Sequence, residues 1–193
     1  MIWQQNKRKI KRLMGGFLLF LTADACAVEF TINGKIYDRT CDIKTDHKNL
    51  VVRLPTISKY HLQQQGDTAG RSHFRIELEN CKLAHWHQGK QLYAFFVSQH
   101  IDESIDGNGT LSNVAKSNRA ENVNIQLTNA DGSAIYLTND KNNIKSIDSY
   151  QKGVVMNASR NAYTLDYAAQ YYAKGKASAG QVESFAVFMV EYK

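Results

Sequence analysis

Apolar and polar residues alternate with a period of two through most of the chain, the spacing that sends side chains to opposite faces of an extended strand. Phe30 to Tyr37 alternates, Leu50 to Leu54 follows, and Phe74, Ile76 and Leu78 then stand against Arg75, Glu77 and Glu79. Leu92 to Val97 is nearly continuous in apolar residues, as for a strand buried on both faces. Val123, Ile125 and Leu127 lead into Asn129-Ala130-Asp131-Gly132, a hairpin turn signal, and out through Ile135 and Leu137. Tyr163, Leu165, Tyr167, Ala169 and Tyr171 alternate again. The last stretch begins at Gly180 and carries Val182, Ser184, Ala186, Phe188, Val190 and Tyr192 on one parity, ending at Lys193. Phe185, Val187 and Met189 make its other parity apolar too. A long, apolar, terminal strand is an aggregation hazard unless something pairs with its free edge. The polar stretches Gln99–Glu121 and Thr138–Ser159 are expected to be exposed loops. No helical period is strong, so the pattern predicts an all-β sandwich of roughly seven short strands.

The first residues change the reading of charge and cysteine. Lys7, Arg8, Lys9, Lys11 and Arg12 precede a short apolar run from Met14 to Leu21, and Ala25-Cys26-Ala27 forms a small-x-small site. This is the layout of a secretory signal peptide, here residues 1–27, and the run is far short of the ~20 residues that span a bilayer. Of 193 residues, removal of the first 27 leaves 166, enough for one domain with a real core. The nominal charge of +6 falls to about +2, which removes the main support for a nucleic-acid partner. Cys41 and Cys81 remain for an oxidising compartment, where a disulfide is the default. Cleavage after Ala25 would instead expose Cys26 for lipid attachment, giving an exported lipoprotein with a self-complete sandwich.

Motifs for chemistry are weak. His85-Trp86-His87, with His73 or His100, offers half of a metal site, and polar loop residues are the simpler account. Asp102 to Gly107 opens like a calcium loop, but Asn113 stands where a bidentate Glu is required. No nucleophile motif, phosphate loop or HExxH is present, so no enzyme, metal or cofactor is expected.

Taken together, Phe30 to Cys41 (FTINGKIYDRTC), Val52 to Leu54, Gly66 through Phe74-Arg-Ile-Glu-Leu78 to Cys81, the Val123–Leu137 hairpin, Leu165-Asp-Tyr167 with Tyr171, and the C-terminal pattern of Gly180 and Tyr192 resemble the pilin subunits of chaperone–usher (type 1-like) fimbriae. The resemblance implies an incomplete immunoglobulin-like β-sandwich with six strands of its own, a seventh supplied in trans, and an N-terminal donor-strand extension. The segment 28–36 would be the donor, through Val28, Phe30, Ile32, Gly34 and Ile36, and residues 37–193 the pilin domain. Gly180, Val182, Ser184, Ala186, Phe188, Val190, Tyr192 and Lys193 would form the acceptor strand that a chaperone first grips, the Lys193 carboxylate included. Cys41–Cys81 would staple the first two strands. The implied partners are a periplasmic chaperone, an outer-membrane usher and neighbouring subunits, with export through the periplasm to a surface fibre used for adhesion or biofilm. A receptor- or carbohydrate-binding tip subunit, with a host receptor as partner, is the alternative of the same fibre type.

Overall fold

The alternation sorts side chains onto two β-sheets that close over a shared core. The structure, a computed structural model, describes residues 28–35, 41–82, 88–103, 109–138 and 151–193. The leader at 1–27, Ile36, the His85–His87 run and residues 104–108 of the Asp102 loop lie outside the described residues.

In chain order the strands are β1 (Val28–Lys35), β2 (Asp42–Ile43), β3 (Asn49–Leu54), β4 (Thr68–Glu79), β5 (Gln91–Val97), β6 (Ile101–Asp102), β7 (Thr110–Leu111), β8 (Val123–Asn129), β9 (Ala134–Ile135), β10 (Val154–Val155), β11 (Tyr163–Ala173) and β12 (Ser184–Tyr192). One sheet runs β10-β5-β12-β1-β3; the other runs β2-β4-β11-β8-β7-β6, with β9 paired to β8. The described helical turns are two short 3-10 pieces, Thr45–His47 and Lys59–His61. The chain is thus all-β, an immunoglobulin-like two-sheet sandwich.

Strand identity follows from the pattern. On β11, Tyr163, Leu165, Tyr167, Ala169 and Tyr171 are buried, while Thr164 and Asp166 between them are exposed. Tyr167 joins the sheets. Its hydroxyl accepts from the Ala94 amide at 2.8 Å and donates to the Lys152 carbonyl at 3.2 Å. Its ring meets Phe96 edge-on, with centroids 5.1 Å apart, an arrangement that adds to plain area burial. Burial pushes its phenol far above the ordinary range. The Asn129–Gly132 segment makes the expected turn, Gly132 taking a φ of 90° and donating to the Asn129 carbonyl. Arg71 clamps it by donating to the carbonyls of Asn129 and Ala130.

Two expectations need correction. The stretch Gln99–Glu121 is not simply an exposed loop: it contains β6 and β7, and Leu111, Ala115 and Ala120 are buried. The cause lies on β8, whose outer parity, Asn124, Gln126 and Thr128, is polar yet buried. Asn124 donates to Thr110 at 2.8 Å and to Asp102 at 3.0 Å, so this stretch docks onto the sheet through side-chain amides. Thr138–Ser159 is likewise mixed, since Gln151 and Met156 are buried and β10 extends the first sheet. Side-chain hydrogen bonding leaves no hydrophobic period, so a pattern reading passes over it.

The Cys41–Cys81 disulfide ties the residue before β2 to the end of β4. Replacing both cysteines by alanine removes a covalent loop of about 40 residues. Stability should fall by roughly 4 kcal/mol, read as a lower guanidinium midpoint. An unchanged midpoint would show that the loop adds nothing to the fold.

Candidate functional site

The C-terminal strand is built as the sequence demands, but it does not lie at an edge. Ser184, Ala186, Phe188 and Val190 face the core at no more than 5 % exposure, whereas Phe185 and Val187 are each 40 % exposed on the outer face. One side of β12 pairs antiparallel with β5, setting Phe188 beside Phe96 and Val190 beside Ala94. Its other side faces a slot one strand wide, and the far wall of that slot is β3.

The slot holds β1. It runs parallel to β12, with Phe30 opposite Ser184, Ile32 opposite Ala186 and Gly34 opposite Phe188. It runs antiparallel to β3, with Val28 opposite Leu54, Phe30 opposite Val52 and Ile32 opposite Leu50. Ile32 is completely buried. The strand expected in trans at this place is therefore present in cis within the single chain. Of the expected donor positions, Phe30, Ile32 and Gly34 are in register with the expected acceptor positions Ser184, Ala186 and Phe188, and Val28 pairs with Leu54 on β3.

Each wall is fastened without help from β1. β12 has its full ladder to β5. β3 is tied to the opposite sheet: Ser72 on β4 donates to the Arg53 carbonyl at 3.0 Å, and the Tyr171 hydroxyl on β11 donates to the Pro55 carbonyl at 3.2 Å. Burial raises the Tyr171 phenol to about 12, so this donor keeps its proton at any ordinary pH. Leu54 and Phe188, one on each wall, are both essentially inaccessible. Both walls thus have anchors that do not involve β1.

The remaining acceptor residues mark the ends. Lys193 closes the β5 side, where its backbone exchanges two hydrogen bonds with Gln91 at 2.7 and 3.0 Å. Its ammonium sits 4.4 Å above the Tyr93 ring and donates to the Gln151 carbonyl. Tyr192 is half-buried against the core beside Leu92. At the other end, Gly180 and Val182 border a cavity of about 420 Å³, shared with Ile57, Leu62, Tyr171 and Ala177.

Gly180 is explained by close approach. A Cβ there would lie 2.5 Å from both the Ala120 nitrogen and the Asn118 oxygen. The strand entry is bonded to that same loop, Gln181 donating to Asn118 and accepting from Ala120. Asn113, which the sequence marks only as the wrong residue for a calcium loop, organises the junction. Its amide donates to the carbonyls of Ala120 and Gln181, and its carbonyl accepts from Ala115 and Glu183. No hydrophobic period signals such a residue; its only trace is an asparagine inside a long polar stretch.

Among the described residues no three His, Cys, Asp or Glu side chains group as a metal site, and His73 lies on β4 opposite Ala168. Among the described residues no helix is long and apolar enough to cross a membrane. The geometry is that of one strand, β1, bonded on both edges between β12 and β3 over a buried apolar face.

The chain is similar to known proteins. A family model described as FimA, type-1 fimbrial protein A, matches residues 54–193. The minor fimbrial subunit HifD of Haemophilus influenzae is 36 % identical over 91 % of this chain and 78 % of its own length. The F17 fimbrial protein of Escherichia coli is 37 % identical over 86 % of this chain and 87 % of its own. Among solved structures, a type I fimbria protein of Burkholderia pseudomallei aligns with a TM-score of 0.53 at 22 % identity, covering 87 % of this chain and 98 % of that one. The P pilus rod subunit PapA aligns at 0.52 and 15 % identity, covering 80 % and 99 %. These last two speak to the fold.

Gly180→Ala should lower stability by about 1–3 kcal/mol, because backbone rather than a movable side chain occupies the space a methyl would need. Thermal unfolding checks it, and an unaltered midpoint would mean that the 118–120 loop yields freely.

Proposed function

Since the chain belongs to the type-1 fimbrial protein family and is a structural subunit of a surface fimbrium, polymerising with other subunits, we propose that it does so by donor-strand exchange through the slot between β12 and β3. Residues 28–36 of one copy enter the slot of the next. Val28, Phe30, Ile32, Gly34 and Ile36 form the donor face, and Val182, Ser184, Ala186, Phe188, Val190 and Tyr192 the acceptor face. The observation that carries this reading is the ladder itself. A nine-residue terminal strand has one edge satisfied by β5 and the other by a segment whose only continuous link to the domain is its C-terminal end. Main-chain bonds then supply affinity, and the alternating positions supply specificity.

The same trough accounts for a chaperone before assembly. A subunit with its slot empty exposes the inner face of β12 and an unpaired ladder, the combination that drives edge-to-edge aggregation. A periplasmic chaperone strand that fills the trough and holds the Lys193 carboxylate would carry the subunit to an outer-membrane usher. Adhesion or biofilm is the outcome for the cell.

A chain lacking residues 28–36 can accept a strand but cannot donate one. Co-expressed with the intact chain, it should terminate growth and shorten fibres in proportion to its share, as measured by electron microscopy. Unchanged lengths would remove the N-terminal segment from assembly. Tyr192→Ala should weaken capture by the cognate chaperone in a pull-down while the disulfide-bonded fold persists; equal capture would move the gripped edge away from β12.

A further inference from the structure

Apart from the slot, the five-stranded sheet has two outer edges, and side chains bond to the backbone of both. On β5, Gln91 turns its backbone to β12, where it exchanges hydrogen bonds with Lys193. Leu92, Ala94 and Phe96 therefore turn theirs to the opposite edge, since successive residues of a strand alternate. Leu92 meets β10 there. The next two amides are held by side chains: Ala94 donates to the Tyr167 hydroxyl at 2.8 Å, and Phe96 to Gln151 Oε1 at 3.3 Å. The same hydroxyl donates to the Lys152 carbonyl, so a phenol from β11 stands where a direct bond between strands would run. Gly153, beside it, lies so near β5 that a Cβ would collide with the Leu92 carbonyl. Gln151 is wholly buried, and among the described residues its Nε2 has no partner. A buried amide with an orphaned donor is kept at a cost, and the bond it does make is to this edge.

β3 carries the complement on the other outer edge. Arg53 and Pro55 share one parity, so their carbonyls point to one edge, the edge away from β1. The Arg53 carbonyl accepts from the Ser72 hydroxyl of β4, and the Pro55 carbonyl from the Tyr171 hydroxyl of β11. Pro55 itself offers no amide to a neighbour. Two successive amides on one outer edge, and two successive carbonyls on the other, are thus taken by side chains. In the slot, by contrast, β12 meets a backbone strand from Phe30 to Lys35.

We propose that Tyr167 and Gln151 on β5, with Ser72 and Tyr171 on β3, seal the outer edges of this sheet and so confine strand addition between subunits to the slot. The proposal rests on the slot being the acceptor. A strand docking on β5 would have to strip Ala94 from a hydroxyl whose residue is 1 % exposed, leaving that hydroxyl short of a partner in the core. A subunit that polymerises by adding strands is concentrated where any bare edge would pair as well, and outer edges paired side by side would knit fibres together. Specificity then comes from blocking the wrong sites as well as from fitting the right one.

The test takes the chain from residue 28 onward as wild type, Tyr167→Phe, Gln151→Ala and Ser72→Ala. Residue-resolved amide exchange should show Ala94 roughly tenfold faster in Tyr167→Phe, and Phe96 likewise in Gln151→Ala. Unchanged amides along β8 would separate loss of a seal from loss of the fold. Val51→Cys, on exposed β3, should form disulfide-linked pairs of chains roughly tenfold faster when combined with Ser72→Ala than alone, as two unsealed edges meet. In cells, Ser72→Ala fibres should lie in bundles under electron microscopy where wild-type fibres are single. Equal pairing rates, single fibres from Ser72→Ala, or unaltered exchange at Ala94 would each overturn the sealing and leave the slot standing. The slot reading fails on a different observation, fibre lengths indifferent to chains that lack residues 28–36.

Discussion

A strand placed between two others must have both of its edges hydrogen-bonded, and β12 meets that demand on one side with β5 and on the other with a segment that is not fixed to it by a compact hairpin. Most of the architecture depends on this asymmetry. The inner parity of β12 is too apolar to be left wet, and its second ladder is too long to be left unpaired. The core behind it, with Phe96 between Tyr167 and Phe188, extends to the floor of the slot. The walls hold because Ser72 and Tyr171 fasten β3 from the opposite sheet. The protein thus separates a frame that is permanently tied from one position that is tied only by what fills it.

The frame was largely legible in the amino-acid pattern. β4, β8, β11 and β12 each follow an alternation that burial alone enforces, and the hairpin at Asn129–Gly132 follows from the φ that Gly132 must adopt. The occupant of the slot and one of its walls could both be named by parity, since Ile32 and Phe188 each sit among alternating apolar neighbours. Their meeting within one molecule was not legible, because period-two alternation says which face is buried and nothing about which edge a strand pairs with. Missing too were features made by polar side chains. Asn113 substitutes four hydrogen bonds for a strand, and Asn124 draws β7 and Asp102 onto β8. Such residues leave no hydrophobic trace, so a long polar stretch that reads as loop conceals a portion of the second sheet.

The apolar outer parity of β12 is the other departure from simple amphipathic expectation. Tyr93 and Phe95 form a second small cluster with Val97 and Met189, while Phe185 and Val187 on β12 and Val51 on β3 stay open to solvent. The outer face of the opposite sheet instead carries Arg75, Glu77, Thr164 and Asp166. The two sides of the sandwich therefore meet water on different terms, and the apolar side is the one that contains the slot.

The fastened walls have a mechanical consequence. A strand bonded along both edges and drawn along its own axis loads every rung of its ladder at once. Extraction is then a shearing event in which the bonds fail together, rather than a peeling event in which they break in succession. Ser72 and Tyr171 add to this by keeping β3 from swinging outward under load. A joint of this kind is strong against tension along the strand while needing no covalent bond across it.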